Sequence, residues 1–213
     1  MYTPPFTRVD DDTAFDVLDT APLGHLISVG VDGIEATALP MLADRAERRL
    51  RGHVARANTH WRALDGADVL VVFVSANGYV SPAWYPSKAD DARVVPTWNY
   101  EVVHVRGVAH VHHDREWLRT LVSDLTTRHE SERSDGAAVW SVTDAPSDYI
   151  DRQLQAIVGV DVEITSIQGK RKLSQNRSAS DSGGVTEGLG RSTRRSDREL
   201  GDVMRELSSP WAG

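Results

Sequence analysis

Cysteine is missing from all 213 residues. That excludes disulfide staples, thiolate nucleophiles and every sulfur-ligated metal centre, and leaves metal chemistry to histidine, carboxylate or tyrosine. Long apolar runs are missing too: no segment approaches the roughly 18 residues that a membrane helix needs, and MYTPPFTRVDDD at the start has neither the basic nor the apolar region of a signal peptide. A cytoplasmic protein without a membrane partner is the expectation. A positive surplus is also absent, since Lys and Arg number 24 against 31 Asp and Glu, for a net charge of −7. Nucleic-acid affinity would then require a local basic patch. The best candidate, Arg191, Arg194, Arg195 and Arg198, lies among Ser and Asp and reads as a solvated helix start. With no helix-turn-helix pattern either, nucleic acid is not an expected partner. No internal repeat is present.

Forty per cent of the residues are hydrophobic, enough at this length for one core without a split into two domains. Phe15 and Leu18 stand at helical spacing after an acidic start, and Pro22 closes the segment, which predicts a short helix over Asp12 to Asp19. β-rich runs follow at His25 to Gly30, Ile34 to Leu42 and Leu50 to Ala55. They are separated by Val31-Asp32-Gly33, a hairpin signal, and by the charged turn Asp44 to Arg49, the pattern of an antiparallel meander. Val69 to Val74 is a continuous apolar run that predicts a strand buried on both faces. Val102 to Val111 and Val158 to Ile167 make six strands. Helical pieces are expected at Trp61 to Leu64, at Asp114 to His129 with Trp117, Leu118, Leu121, Val122 and Leu125 on one face, and at Asp148 to Ile157. The predicted class is mainly β with α: a small barrel over residues 1–177 with helices on its rim. A Ser-, Gly- and Arg-rich flexible linker over 178–195 and a C-terminal helix and tail over 196–213 complete the chain.

Three stretches carry a more specific signal: Gly52-His53-Val54-Ala55-Arg56-Ala57-Asn58-Thr59-His60-Trp61; YVSPAWYPSKADDARVVPTWNY from Tyr79 to Tyr100; and GKRKLSQNR from Gly169 to Arg177. In order and spacing they resemble the PaiB-type family across roughly residues 1 to 190. That resemblance implies the FMN-binding split β-barrel and a homodimer with two pockets at the subunit interface. The departures are informative. Where the family reads Thr-His-Leu-Pro this chain has Thr37-Ala38-Leu39-Pro40, and where it reads Gly-Pro-His-Ala-Tyr this chain has Ser75-Ala76-Asn77-Gly78-Tyr79, so two histidines are lost. Asn-Pro-x-Trp becomes Asn58-Thr59-His60-Trp61. An apolar position after Trp98-Asn99-Tyr100 becomes Glu101, and the Trp of Gly-Lys-Trp-Lys becomes Arg171.

These changes resemble one branch of the family, the haem-dependent piperazate synthases, which close a nitrogen–nitrogen bond in N5-hydroxy-L-ornithine. The resemblance implies haem b as cofactor, with FMN as the alternative, and a small amino acid as substrate. A zwitterion needs a cation for its carboxylate and an acceptor for its ammonium, which makes Arg171 and Glu101 the catalytic candidates. The axial ligand is sought among His60, His53 and His104: His60 is placed first, His53 is its alternative and could equally bond a flavin phosphate, and His104 suits a buried, satisfied sheet position. His110, His112 and His113 read as solvent-facing neighbours of a helix cap. Trp98 is the candidate flat wall for the cofactor, with Trp84, Tyr85 and Tyr100 more readily core residues. Lys172, Gln175 and Arg177, with Lys170 and Asn176, are placed on the propionates or phosphate, and Arg56 and Lys88 behind them. The alternative function is that of an FMN-binding, PaiB-like negative transcriptional regulator, supported by the retained Pro96-Thr97-Trp98-Asn99-Tyr100 and Lys172 to Arg177. A haem-degrading oxygenase is a further possibility within related barrels.

Overall fold

The computed structural model describes residues 1–31 and 33–207. Asp32 of the expected hairpin turn and the tail 208–213 lie outside the described residues. Among the described residues there are seven strands: β1 (Arg8–Val9), β2 (Leu23–Gly30), β3 (Gly33–Asp44), β4 (Arg49–Ala55), β5 (Asp68–Val80), β6 (Thr97–His112) and β7 (Ile157–Lys172). The helices are α1 (Asp11–Thr20), α2 (Arg115–Ser131), α3 (Ser147–Gln155), α4 (Ala179–Gly190) and α5 (Arg195–Leu207). All six expected strands form. The two-residue β1 is too short to carry a period, and its only register is with Gly169 and Lys170 of β7. The strand order is β1-β7-β4-β3-β2-β5-β6, and β6 also pairs with β7, so the sheet closes on itself as a barrel does.

The chain packs as two compact units: one holds Met1–Thr20, Val74–Val103 and the described residues from Gln168 onward; the other holds Ala21–Phe73 and His104–Ile167. Strands β5, β6 and β7 each contribute residues to both.

In the second unit the hairpin of β2 and β3 starts where Gly30 faces Gly33. Gly33 has φ +111°, a conformation that side-chain-bearing residues rarely adopt. Period-two alternation buries Leu26 of β2 opposite Val71 of β5 and buries Leu50 and Val54 of β4. Asp114 caps α2 by accepting a hydrogen bond from the Trp117 amide at 2.8 Å. The helix buries Leu118, Leu121 and Leu125, and Leu118 packs with Val142, Ile150 and Leu154. One expectation fails here. β5 is not buried on both faces: Val69, Val71 and Phe73 are inside, whereas Leu70 and Val72 are half-buried and Val74 is 49% exposed. A continuous apolar run hides its own alternation, and no element of this unit covers the outer face.

In the first unit α1 buries Ala14, Phe15, Val17 and Leu18. The expected linker contains a helix: Ala179–Gly190 is α4, with Val185 and Leu189 fully buried against Leu200 of α5 and Leu173. Its four glycines cost about 0.5–1 kcal/mol each against alanine, while burying Val185 and Leu189 returns about 1.5–3 kcal/mol apiece. Gly184 and Gly188 are there because Trp84 lies against the helix and leaves no room for a Cβ at either position. Composition therefore suggested flexibility where the glycines serve close packing. The expected final helix is α5.

Two glycines test this reading of packing. Trp117 lies on Gly159 so closely that a Cβ would meet its ring, whereas Gly183 faces open space. Gly159→Ala should destabilise the protein by about 1–3 kcal/mol through overpacking, and Gly183→Ala should stabilise it by about 0.5–1 kcal/mol. Denaturant unfolding of both variants measures the pair, and equal effects would contradict the assignment.

Candidate functional site

The sequence-derived candidates fall into two groups, one in each unit. In the first unit, successive cross-links join β6 to the end of β7. Glu101, 3% exposed, accepts a hydrogen bond from Arg171 Nε at 2.5 Å; the arginine side chain is 20% exposed. Burial of the carboxylate makes the cation a requirement, since an unpaired ionised group there would cost several kcal/mol. Asp10, which caps α1 by accepting from the Thr13 amide, is held below the usual carboxylate range chiefly by that bond, with a smaller contribution from Arg171. The contact uses one oxygen of Glu101 and leaves the terminal guanidinium nitrogens of Arg171 outside it.

Two residues earlier on β6, the buried Asn99 donates from Nδ2 to Ser174 Oγ at 2.9 Å and to Met204 Sδ of α5 at 3.5 Å. Ser174 has φ +66°, unusual for a residue with a side chain, and the Asn99 contact holds that turn. Asn99 Oδ1 and the Tyr85 hydroxyl are buried without a partner. Lys172 donates to Thr97 Oγ1 and, at 2.9 Å, to the Trp98 carbonyl. Both acceptors are neutral and Lys172 makes no ion pair among the described residues, so its charge stays available to an anion. Trp98 is half-exposed, edge-on to Tyr79 at 6.4 Å.

Other members of the expected anion grip are occupied. Gln175 accepts from the Leu173 amide at 2.7 Å and donates to the Arg171 carbonyl at 2.6 Å, so both ends of its side chain close a backbone turn instead of facing a ligand. The Arg177 guanidinium lies 4.7 Å over the Tyr85 ring. Tyr85 belongs to the core, and Trp84 packs against it. Lys170 sits 5.3 Å over Tyr100.

In the second unit His60 is buried and both its nitrogens are engaged: Nε2 with Ser28 Oγ at 2.8 Å and Nδ1 with Thr37 Oγ1 at 2.9 Å. Asn58 supports this by accepting from the His60 amide and donating to Thr37 Oγ1. The expected open ring nitrogen is therefore not found. A metal at Nε2 requires the Ser28 hydroxyl to turn away, while Thr37 on the opposite nitrogen is the kind of contact that orients a ligating imidazole. His53 lies on the face of β4 that carries Arg49 and Arg51, the latter paired at 3.1 Å with Asp124 of α2. No hydrogen bond among the described residues engages the His53 ring. His104 is half-buried and likewise without a hydrogen bond, not the satisfied sheet histidine expected. His112 is not solvent-facing either. Its ring stacks on Trp117 at 4.0 Å, and its buried Nε2, without a hydrogen bond, stands 3.7 Å from buried Asp161, which Arg49 neutralises. No group of three or more His, Asp or Glu side chains among the described residues is arranged to hold a metal ion.

Arg56 spends its guanidinium mainly on the C-terminal end of α3, donating to the Gln155 carbonyl at 2.7 Å and the Ile157 carbonyl at 2.8 Å. The contacts of Asn99, Ser28 and Thr37 were missed from sequence. Asn99 had a signal, its place inside Trp98-Asn99-Tyr100; the two hydroxyls had none. The arginines of the C-terminal patch are largely matched, Arg191 by Glu187 and Arg195 by Glu199 at 2.6 Å. No helix among the described residues is long and apolar enough to cross a membrane.

A family model described as "Putative FMN-binding domain" matches residues 1–166. The protease synthase and sporulation protein PAI 2 of Bacillus subtilis is 27% identical over 210 residues, covering 97% of each chain. An uncharacterised protein of Aspergillus fumigatus is 33% identical over 177 residues, 69% of this chain and 68% of the other. Among solved structures, an FAD and haem binding protein from Mycobacterium smegmatis superposes with a TM-score of 0.57 at 17% identity, covering 83% of this chain and 78% of that one. The flavocytochrome Anf3 from Azotobacter vinelandii gives 0.53 at 19% identity, covering 78% and 69%. At such identities the likeness establishes the fold, a split barrel, and the fold alone.

His53, His60, His104 and His112 are all pushed below the ordinary histidine value of 6.5, chiefly by burial. The fold favours their neutral forms, so the unfolded chain binds protons first and stability, complete above pH 6.5, is lost as pH falls through that value toward the folded ones. Unfolding midpoints of the wild type should drop between about pH 7.5 and about pH 5.5. A His60→Gln variant should be less stable at the upper pH yet lose less on acidification, and an unchanged slope would remove His60 from this account.

Proposed function

The chain belongs to the FMN-binding domain family that includes the PaiB-type proteins, and we propose that it is an enzyme of that fold which carries haem b and converts N5-hydroxy-L-ornithine to L-piperazate with loss of water. The observation that carries this reading is the buried Glu101–Arg171 pair at 2.5 Å. An α-amino acid brings one charge of each sign. Arg171 offers its terminal nitrogens to the α-carboxylate, and Glu101 offers an acceptor to the α-ammonium, so the substrate can exchange into an ion pair already present. In the balanced reaction the α-nitrogen bonds to N5, the N5–O bond breaks, and a proton from the α-amine leaves with the hydroxyl as water. Glu101 is placed to take that proton and return it to the departing oxygen. Holding both nitrogens of a flexible chain together supplies a proximity effect of up to about 7–11 kcal/mol.

For the prosthetic group, the absence of cysteine leaves histidine as the nitrogen donor, and His60, neutral and oriented by Thr37, is the residue that would hold the iron once Ser28 gives way, with His53 as the alternative. In the first unit, Lys172, whose charge no carboxylate neutralises, suits an anionic group, and half-exposed Trp98 suits a flat ring. When bound, haem supplies the Lewis acidity that weakens the N–O bond. The M. smegmatis protein that shares this fold is itself described as binding FAD and haem. The reading places the reaction in the cytoplasm.

FMN is the second reading, in a PaiB-like regulator, and the family match favours it, because the same Lys172 would hold a phosphate and Trp98 an isoalloxazine. The absorption spectrum of protein expressed with both cofactors available separates them. A Soret band that shifts on addition of N5-hydroxy-L-ornithine, with a hydrazine product, is expected; a flavin spectrum alone returns the chain to the regulator. Glu101→Gln should retain the cofactor and lose turnover, whereas Arg171→Ala should chiefly weaken amino-acid saturation.

The proposed assembly is a homodimer. On the outer face of the β2–β3 hairpin Val29 and Ile34, opposite each other in register, are 76% and 79% exposed, with Leu23 exposed on the same strand and Val74 on β5. An antiparallel sheet with an apolar outer face is a surface to be covered, and a second copy is the occupant proposed. Light scattering should report a dimer, and Ile34→Lys should shift it toward monomer; a wild-type monomer at micromolar concentration would refute the assembly.

A further inference from the structure

A cleft in the second unit is lined by Arg56, His113 and Arg115 together with Asp151 and, at its floor, Leu118 and Leu154. Its volume is about 140 Å³, well below the roughly 300–1,000 Å³ of cofactor and drug-sized sites. A flavin or porphyrin does not fit it, but a small oxyanion does.

The charge is unbalanced. Asp151 is shared by two guanidiniums, Oδ2 by Arg115 and Oδ1 by Arg119 at 2.5 Å. With Arg56, three guanidiniums stand against this one carboxylate. Arg56 uses Nε and Nη2 for the carbonyls at the end of α3 and turns Nη1 toward His113 Nδ1 at 3.4 Å. An arginine only donates, so Nδ1 is the acceptor and the neutral ring carries its hydrogen on Nε2. His113 is further fixed edge-on to Trp61 at 5.2 Å. Both carboxylate oxygens are already taken, and the polar groups left over among these lining residues are donors: Nε2–H of His113 and the spare N–H groups of Arg56 and Arg115. Structural duty accounts for part of Arg56 but not for Arg115, whose side chain is 60% exposed.

We propose that this cleft is an oxyanion subsite for a phosphate group, either free phosphate or the terminal group of a phosphorylated small molecule. Forked guanidiniums match phosphate geometry, and the two surplus positive charges match a dianion. The subsite is independent of the haem and amino-acid reading.

The test is a ³¹P line-broadening titration of the full-length protein, in phosphate-free buffer, with inorganic phosphate and separately with ribose 5-phosphate. Saturable, salt-sensitive binding is expected. Arg115→Gln, at an exposed position whose partner Asp151 keeps Arg119, should weaken it by about tenfold. Asp151→Asn, which removes the competing carboxylate, should tighten it. Stronger binding of ribose 5-phosphate assigns the site to a phosphorylated metabolite, and stronger binding of the free ion assigns it to phosphate. Absence of saturable binding, or affinity indifferent to both substitutions, overturns the proposal. The readout uses neither absorbance nor turnover, so failure of the haem reading would leave this result standing.

Discussion

Burying a carboxylate as fully as Glu101 calls for a cation beside it. Arg171 is that cation, and meeting the requirement organises the strand ends around it. β6 and β7 must stay in one register there, and Asn99 and Ser174 form the next cross-link, with Lys172 on Thr97 beside them. The left-handed backbone of Ser174 is held from β6 on one side and leads on the other into α4 and α5, whose Leu189, Leu200 and Met204 pack with Leu173. The charged pair and the apolar core thus draw on one short stretch of chain, Arg171 serving the first and Leu173 the second.

The second unit solves a different problem, keeping histidines neutral inside a sheet. Burial lowers the proton affinity of four of them, and the fold answers each differently: hydroxyls on both nitrogens of His60, an indole stacked on His112, and no partner for His53 or His104. Only His60 has the polar support that orients an imidazole for ligation, at the cost of a serine contact that must give way. The same sheet leaves Val29 and Ile34 exposed on its outer face.

Much of the architecture was legible in the sequence. Period-two alternation in β2 and β4 and the amphipathic spacing of α2 are local signals, readable because side-chain direction follows directly from backbone period. Family motifs marked Glu101 and Arg171 as substitutions of opposite charge, and the two residues, 70 positions apart, do meet. The continuous apolar run of β5 concealed its exposed face, since hydrophobicity alone does not say which side a neighbour will cover. Gly184 and Gly188 of α4 read as flexibility because their reason for being there, Trp84, lies about a hundred residues earlier in the chain.

Composition and local period by themselves determined a mainly β class with helices, the place of most elements, the exclusion of sulfur chemistry and the charge types available to a ligand, and the resemblance of three motifs added the split barrel. Only the tertiary structure decided which of those groups are free. It spent Gln175 on a backbone turn and both nitrogens of His60 on hydroxyls, left the charge of Lys172 unmatched, and gathered Arg56, His113 and Arg115 around one small cleft. The reason is that availability belongs to partners, and partners distant in sequence become neighbours only when strands pair and helices pack.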